Sequence, residues 1–167
     1  MNKFLLKFFI IFLILTNYSF SIEKIVYLDL DYIITNSNKG KLILSELEKI
    51  NSDNIKLIKS KEEILKKEEK NLINQKNIIS EEIFNQKIKN LKDKIENFKL
   101  EKKNMAKNFK STREKNINDF IRIVEKILEE YVKEESIDLV LNKKNILMGK
   151  NQYNITNNIL EKVNELK

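Results

Sequence analysis

The fold is decided by the stretch from Lys41 to Met148, whose middle, residues 57–98, reads LIKSKEEILKKEEKNLINQKNIISEEIFNQKIKNLKDKIENF. The 108 residues between Gly40 and Gly149 contain no glycine, and the chain of 167 residues contains no proline. Glycine and proline are the residues that most often interrupt helices. A compact domain of this length would need more chain reversals. The stretch therefore predicts one long antiparallel helical hairpin, or tentacle, over residues 41–135.

Both arms of the predicted hairpin carry apolar side chains at helical spacing, but the first arm is the less regular. Its apolar residues fall on two adjacent seven-residue rows: Ile43, Ile50, Leu57, Ile64 and Ile78 on one, and Ile58, Leu65, Leu72 and Ile79 on the next. The second position of a coiled-coil seam is polar there: Asn54, Lys61, Glu68 and Gln75. Because a tight seam needs apolar residues at both positions, we predict loose packing between the arms.

The returning arm has a nearly complete apolar seam. The residues that alternate by fours and threes are Phe84, Ile88, Leu91, Ile95, Phe98, Lys102, Met105 and Phe109, with Lys102 the one charged member; Arg113 and Ile117 then continue by fours. Ser80 followed by Glu81 and Glu82 is typical of a helix start, since the hydroxyl caps free N–H groups and the acids favour the positive end of the dipole. We therefore expect the tip of the hairpin at residues 77–80.

The chain ends outside the hairpin predict a small body of strands and one helix, formed by residues 22–40 and 136–167. The predicted elements are a strand at 25–30, a helical turn capped by Asp31, strands at 136–141 and 146–148 joined by a turn at 142–145, and a closing helix at 157–166. Ile25, Tyr27, Leu139 and Leu141 are the candidate core of this body. Because three short strands are barely stable alone, we expect several copies to associate through it.

The N-terminus predicts a secretory signal peptide over residues 1–21. Lys3 and Lys7 precede an apolar run at residues 8–15, and small residues flank Phe20. This order predicts cleavage between Ser21 and Ile22 and a mature protein in the periplasm, exported across the inner membrane. An uncleaved anchor is the alternative, but the apolar run is short against the roughly 20 residues that a spanning helix needs.

Composition excludes most catalytic chemistry. The chain has no cysteine and no histidine, which removes disulfides, thiol catalysis, imidazole catalysis and Cys/His metal sites. Asp29 and Asp31 fall on one face of the first predicted strand and could form a carboxylate pair, but no third ligand lies near them in the sequence. The sequence therefore predicts no enzyme, no cofactor and no metal site.

The positive charge is concentrated on the returning arm. The chain carries a formal net charge of +7, and residues 81–115 hold eleven Lys/Arg against six Asp/Glu. Such an arm attracts anionic partners, for which nucleic acid, anionic lipid, lipopolysaccharide and acidic proteins are candidates. The alternative is compositional drift, since an A/T-biased genome also enriches lysine, isoleucine and asparagine.

The succession of elements resembles the Skp (OmpH) family of periplasmic chaperones. The residues that carry the likeness are Lys24–Asp31, Asn38–Lys41, Ile79–Phe84, Ser136–Leu141 and Asn154–Leu166, in this order behind a signal peptide. The resemblance implies a mainly α, jellyfish-like homotrimer whose bodies join in a β-barrel-like core while helical tentacles surround a cavity. It also implies an ATP-independent holdase that keeps unfolded outer-membrane β-barrel proteins from aggregating before membrane assembly.

The residues agree with that function, and two alternatives stay open beside it. Apolar side chains near the tip are the candidate client contacts: Leu65, Leu72, Ile79, Ile83, Phe84 and Ile88. Each of them could instead only hold the two arms together. A structural coiled-coil adaptor of the cell envelope shares every helical feature. A basic nucleic-acid-binding protein is disfavoured by the signal peptide, by the presence of only two arginines and by the lack of an aromatic-basic patch.

Overall fold

The computed structural model describes residues 23–166, so the predicted signal peptide and its cleavage site at Ser21 and Ile22 lie outside the described residues. The chain is mainly helical. Its elements are β1 (Ile25–Leu28), α1 (Leu30–Asn36), α2 (Asn38–Gln75), α3 (Glu81–Glu134), β2 (Leu139–Asn142) and α4 (Thr156–Glu165), with 3₁₀ turns at Lys143–Asn145 and Asn151–Tyr153. The two longest helices therefore take up most of the described chain.

The body is built on a parallel pair of strands, β1 and β2, in a register that places Ile25 opposite Leu139 and Leu28 opposite Asn142. A parallel pair needs a long crossover, and here α1, α2 and α3 together form it. Beyond the pair, Tyr27 makes a single bridge to Asn154.

The predicted third strand at residues 146–148 is wrong. The side chain of Asn142 accepts a hydrogen bond from the Lys144 N–H, and the chain winds into a 3₁₀ turn at Lys143–Asn145 instead of a hairpin. This turn carries the chain away from β2. Leu147 and Met148 are consequently left exposed to solvent.

The core lies where α1, the C-terminal part of α3 and α4 pack on the strands. Its buried members are Val26, Leu28, Ile33, Phe120, Val124, Ile127, Ile137, Ile155, Ile159 and Val163. Every member comes from residues 23–36 or 120–163, so α2 and the part of α3 that precedes Phe120 contribute no buried residue to this core. The sequence predicted an inward Leu166 in the closing helix, but that side chain is half exposed.

The link between α1 and α2 is a single residue, Ser37. Helix α2 begins at Asn38, three residues before the predicted start of the hairpin at Lys41, because the Ser37 hydroxyl accepts the Gly40 N–H at 3.1 Å. Ser37 is fully buried and its own N–H donates to the Ile33 carbonyl at 2.9 Å. A Cβ at Gly40 would collide with the carbonyl oxygen of Ile34, which explains the glycine at this position.

Two further cap predictions have different outcomes. Ser80 caps α3 as expected, since its hydroxyl accepts the Ile83 N–H and Glu81 and Glu82 occupy the first turn. The predicted Asp31 cap is wrong: Asp29 caps α1 by accepting the Tyr32 N–H at 3.0 Å, and Asp31 lies within the first turn.

Candidate binding surface between the long helices

Helices α2 and α3 run in opposite directions and contact each other along a shared seam. On α2 the buried or half-buried residues from position 54 onward are Asn54, Ile58, Lys61, Glu62, Leu65, Glu68, Leu72 and Gln75. On α3, up to position 117, they are Phe84, Ile88, Leu91, Ile95, Phe98, Glu101, Lys102, Met105, Phe109, Thr112, Asn116 and Ile117. The α2 side is thus apolar at one seam position and polar at the other, as its sequence predicts.

The polar seam residues of α2 are paired across the helices. Lys61 Nζ donates to both carboxylate oxygens of Glu101, at 2.5 and 2.6 Å. Seven residues on, Glu68 accepts from Lys94 Nζ at 2.7 and 2.9 Å. One heptad nearer the tip, Gln75 accepts from Lys87 Nζ at 2.7 Å. These contacts form a ladder with one rung per heptad, and we call them the three rungs.

A fourth contact lies on the other side of the seam. Lys102 Nζ donates to Glu62 Oε1 at 2.8 Å and lies 5.6 Å from the centroid of the Phe98 ring. The hydrogen bond from Lys102 lowers the pKa of Glu62 below its ordinary value. Lys102, the one charged position in the predicted α3 seam, is therefore accommodated by an acid on the facing helix.

The six candidate client contacts divide between the seam and the surface. Leu72 is buried, and Leu65, Ile79, Phe84 and Ile88 are half-buried. Ile83 is the exposed member of the set. Most of these residues therefore lie in the seam, the position that the alternative interpretation gave them.

Exposed apolar side chains beside the seam belong to the other row. Leu57 and Ile64 of α2 are 44% and 53% exposed, and Ile78, in the turn after α2, is 78% exposed. Ile43 and Ile50, earlier members of this row, are half-buried. Ile43 packs against the core of the body, whereas the later members of the row lie beside the seam and away from that core. The sequence showed this row but not which of its members would be exposed.

Two cavities open side by side along one face of the seam. One, of about 290 Å³, lies between Ile64, Leu65, Asn97 and Phe98, and the other, of about 310 Å³, lies between Asn71, Leu72, Asn90 and Leu91. Glu68 and Lys94 line both, so the middle rung forms the partition between them. The face therefore presents an apolar floor that is crossed by paired charges.

The four candidate body residues do not share one environment. Tyr27 is buried, and its hydroxyl donates to the Lys150 carbonyl at 3.4 Å. Ile25, Leu139 and Leu141 are partly exposed in the single chain. Because Ile25 pairs with Leu139 and Tyr27 with Leu141, and side chains alternate along a strand, all four occupy the same face of the β-pair, and Tyr27 is the buried member of the four.

Asp29 and Asp31 do not form a carboxylate pair. Asp29 accepts from Lys143 Nζ at 2.9 Å, whereas Asp31 lies 2.6 Å from Lys144 Nζ. The pKa of Asp29 is lowered, first by the hydrogen bond from the Tyr32 N–H and then by Lys143. Each aspartate is thus neutralised by its own lysine, and the two together anchor the 3₁₀ turn to α1.

Residues 23–166 contain no group of three or more acidic, histidine or cysteine side chains placed to hold a metal ion. In the same part of the chain, no helix combines the length and the apolar character needed to cross a membrane.

Comparisons with known proteins agree with this architecture. A crystal structure of a protein described as an OmpH-like outer membrane chaperone from Caulobacter crescentus superposes with a TM-score of 0.79. The match covers 86% of this chain and 85% of that one at 14% sequence identity, so it bears on the fold alone. No curated protein matches this sequence. The model of the OmpH-like outer membrane protein family matches residues 24–163, and the chain belongs to that family.

Proposed function

We propose that this protein is an ATP-independent holdase chaperone of the periplasm that binds unfolded outer-membrane β-barrel proteins between helical tentacles. The observation that carries the proposal is where its apolar residues lie. The clustered core is formed by the body and the C-terminal part of α3, while α2 and the rest of α3 extend away from it with a seam whose α2 side is half polar. Membership in the OmpH-like family supports the same function.

The charge of the long helices suits clients of this kind. Residues 81–115 carry an excess of five positive charges, and an unfolded outer-membrane protein is commonly acidic. Long-range attraction raises the rate of encounter, and many weak apolar contacts then hold the chain. A loosely packed seam lets the two helices adjust to clients of different sequence. Anionic lipid and lipopolysaccharide are further candidate partners for the same basic surface.

We also propose that the functional unit is a homotrimer joined through the bodies. Three features support association: the apolar face formed by Ile25, Leu139 and Leu141, the unpaired outer edge of β2, and the exposed pair Leu147 and Met148. Exposed strand edges and contiguous apolar patches favour pairing with another chain. The hairpins then hang from one side of the joined bodies and enclose the client.

The test dilutes a urea-unfolded outer-membrane β-barrel protein into buffer with and without residues 22–167. Turbidity reports aggregation, and light scattering after size exclusion weighs the soluble complex. Suppressed aggregation and a mass of three chains plus one client support the proposal. Unchanged aggregation with the protein eluting free of client would refute the holdase and favour the envelope adaptor.

A further inference from the structure

The two flanks of the helical seam differ in chemistry. On the flank that holds the two cavities, α2 presents Leu57 and Ile64, and α3 presents Asn90, Asn97 and Asn104; Ile78 is exposed in the turn that follows α2. Ile64 and Asn97 line one cavity and Asn90 lines the next, while Leu57 and Asn104 lie one heptad along the same rows. We call these six residues the neutral face.

Two of the three lysines that line the cavities are paired with carboxylates, and the third, Lys87, keeps its positive charge. Lys61 is paired with Glu101 and Lys94 with Glu68, and the remaining cation that lines the cavities, Lys87, donates to Gln75. A ligand on this face therefore meets apolar side chains, amides and closed ion pairs, with little net charge.

The other flank of α3 is basic. Its heptad positions beyond the seam carry Lys89, Lys92, Lys99, Lys103, Lys110 and Arg113, with Glu96 among them. The excess charge of residues 81–115 is therefore unevenly distributed around α3. The basic flank can attract a client from a distance, but it offers no apolar surface to hold it.

An unfolded β-barrel segment matches the neutral face in two respects. Its alternating apolar side chains fit the apolar floor, which includes Leu65 and Phe98. Its backbone N–H and C=O groups are bonded to water, and a side-chain amide offers both a donor and an acceptor that can replace that water. Consecutive asparagines of the row are one heptad, about 10.5 Å, apart, which an extended chain spans with about three residues.

We propose that the neutral face is the surface that holds extended segments of the client, with Leu57, Ile64 and Ile78 contacting its apolar side chains and Asn90, Asn97 and Asn104 its backbone amides. This inference rests on the proposed chaperone function and assigns it to one side of each hairpin. It moves the client contacts from the seam residues that the sequence indicated to the row beside them.

The experiment compares two triple variants for binding a fluorescently labelled, urea-unfolded outer-membrane β-barrel protein after dilution. One carries Leu57→Ser, Ile64→Ser and Ile78→Ser. The matched control carries Ile55→Ser, Ile73→Ser and Leu100→Ser, whose side chains are 45%, 64% and 55% exposed on other flanks. Both triples remove three exposed apolar side chains, so the loss of general hydrophobicity is balanced; because Ile78 lies in the turn after α2, the control triple lowers helix propensity at least as much as the neutral-face triple.

We expect the neutral-face triple to weaken binding by about tenfold or more and the control to stay within about twofold of the unchanged protein. A third variant, with Asn90→Ala, Asn97→Ala and Asn104→Ala, should also weaken binding although alanine favours helix. Equal effects of the two serine triples would overturn the inference. The inference would also be overturned if, without client, the neutral-face triple formed a smaller oligomer than the unchanged protein, because the face would then be a contact between copies. If the unchanged protein binds no client at all, the chaperone proposal itself fails.

Discussion

Reversing one charge of the middle rung should destabilise the pairing of α2 with α3, and reversing both should restore it. The rung joins Glu68 and Lys94 at 2.7 Å, with side chains 40% and 55% exposed. Either Glu68→Lys or Lys94→Glu places two like charges at this contact. The double variant returns opposite charges to it in exchanged positions.

The magnitude follows from the exposure of the pair. A solvent-exposed ion pair contributes about 0.2–1 kcal/mol, and a like-charged contact costs a similar amount. Each single reversal should therefore lower the free energy of unfolding by about 1–2 kcal/mol, whereas the double variant should recover to within about 0.5 kcal/mol of the original. At about 2–4 °C per kcal/mol for a chain of this size, the single variants should melt several degrees lower.

The rungs also oppose sliding of one helix along the other. A slip of one heptad brings Lys61 against Lys94 in one direction, or Glu68 against Glu101 in the other, given the observed pairs of Lys61 with Glu101 and Glu68 with Lys94. The slip that brings Glu68 against Glu101 is therefore penalised by like charges, whereas the opposite slip also brings Glu68 against Lys87, which offsets the repulsion of the two lysines. The double reversal makes the contact between residues 68 and 101 attractive, so it should restore stability and at the same time relax the register in that direction.

The assay is circular dichroism at 222 nm during heating, at one protein concentration and at low and high salt. Register is then tested with a short crosslinker that joins two introduced cysteines, since the chain has no native cysteine. One variant combines Ile64→Cys with Asn97→Cys, and the other combines Ile64→Cys with Asn90→Cys. The reasoning is refuted if, at low salt, the single reversals have the same melting temperature as the unchanged protein. It is equally refuted if the double variant melts as low as the singles.

Three further predictions concern the body and its junctions. Phe120→Ala should cost about 3–5 kcal/mol in urea unfolding, because the ring is 1% exposed within the core; a cost below about 1 kcal/mol would contradict the packing. Gly40→Ala should lower the melting temperature although alanine favours helix, because its Cβ meets the Ile34 carbonyl; a rise would show that the backbone yields easily. Asp29→Asn should reduce stability at pH 7 by about 0.5–1 kcal/mol through loss of the Lys143 pair. Folding lowers the pKa of Asp29 from its ordinary 3.8, so this contribution is fully present above pH 3.8 and is lost as the pH falls through the folded-state pKa. The unfolding curves of the original protein and the Asp29→Asn variant should therefore converge in acid. A constant difference in stability between them would refute the assignment.

Local signals in the sequence were sufficient for the long helices. The absence of glycine and proline, the Ser80 cap and the seven-residue rows are properties of neighbouring residues, and the structure has α3 beginning at Glu81 as they indicated. The polar seam row of Asn54, Lys61, Glu68 and Gln75 was likewise identified, and it lies in the contact.

Features that depend on distant residues could not be predicted. The choice between a hairpin and a 3₁₀ turn after Asn142 depends on Asp29 and Asp31, which hold Lys143 and Lys144 from more than a hundred residues away. The exposed row at Leu57, Ile64 and Ile78 depends on where α3 crosses α2. Heptad counting identifies the rows that contact a partner but leaves their rotation about the helix axis undefined.

The pairing of β1 with β2 sets the order in which the molecule can be completed. Ile25 and Leu139 are register partners separated by nearly the whole crossover, so β1 leaves the ribosome long before its partner strand exists. Helices α2 and α3 are joined by a short turn and can zip together from the tip while the first strand is still unpaired. Until the last fifth of the chain emerges, Val26 and Leu28 have no core to enter. During that interval the growing chain itself exposes an unpaired apolar strand.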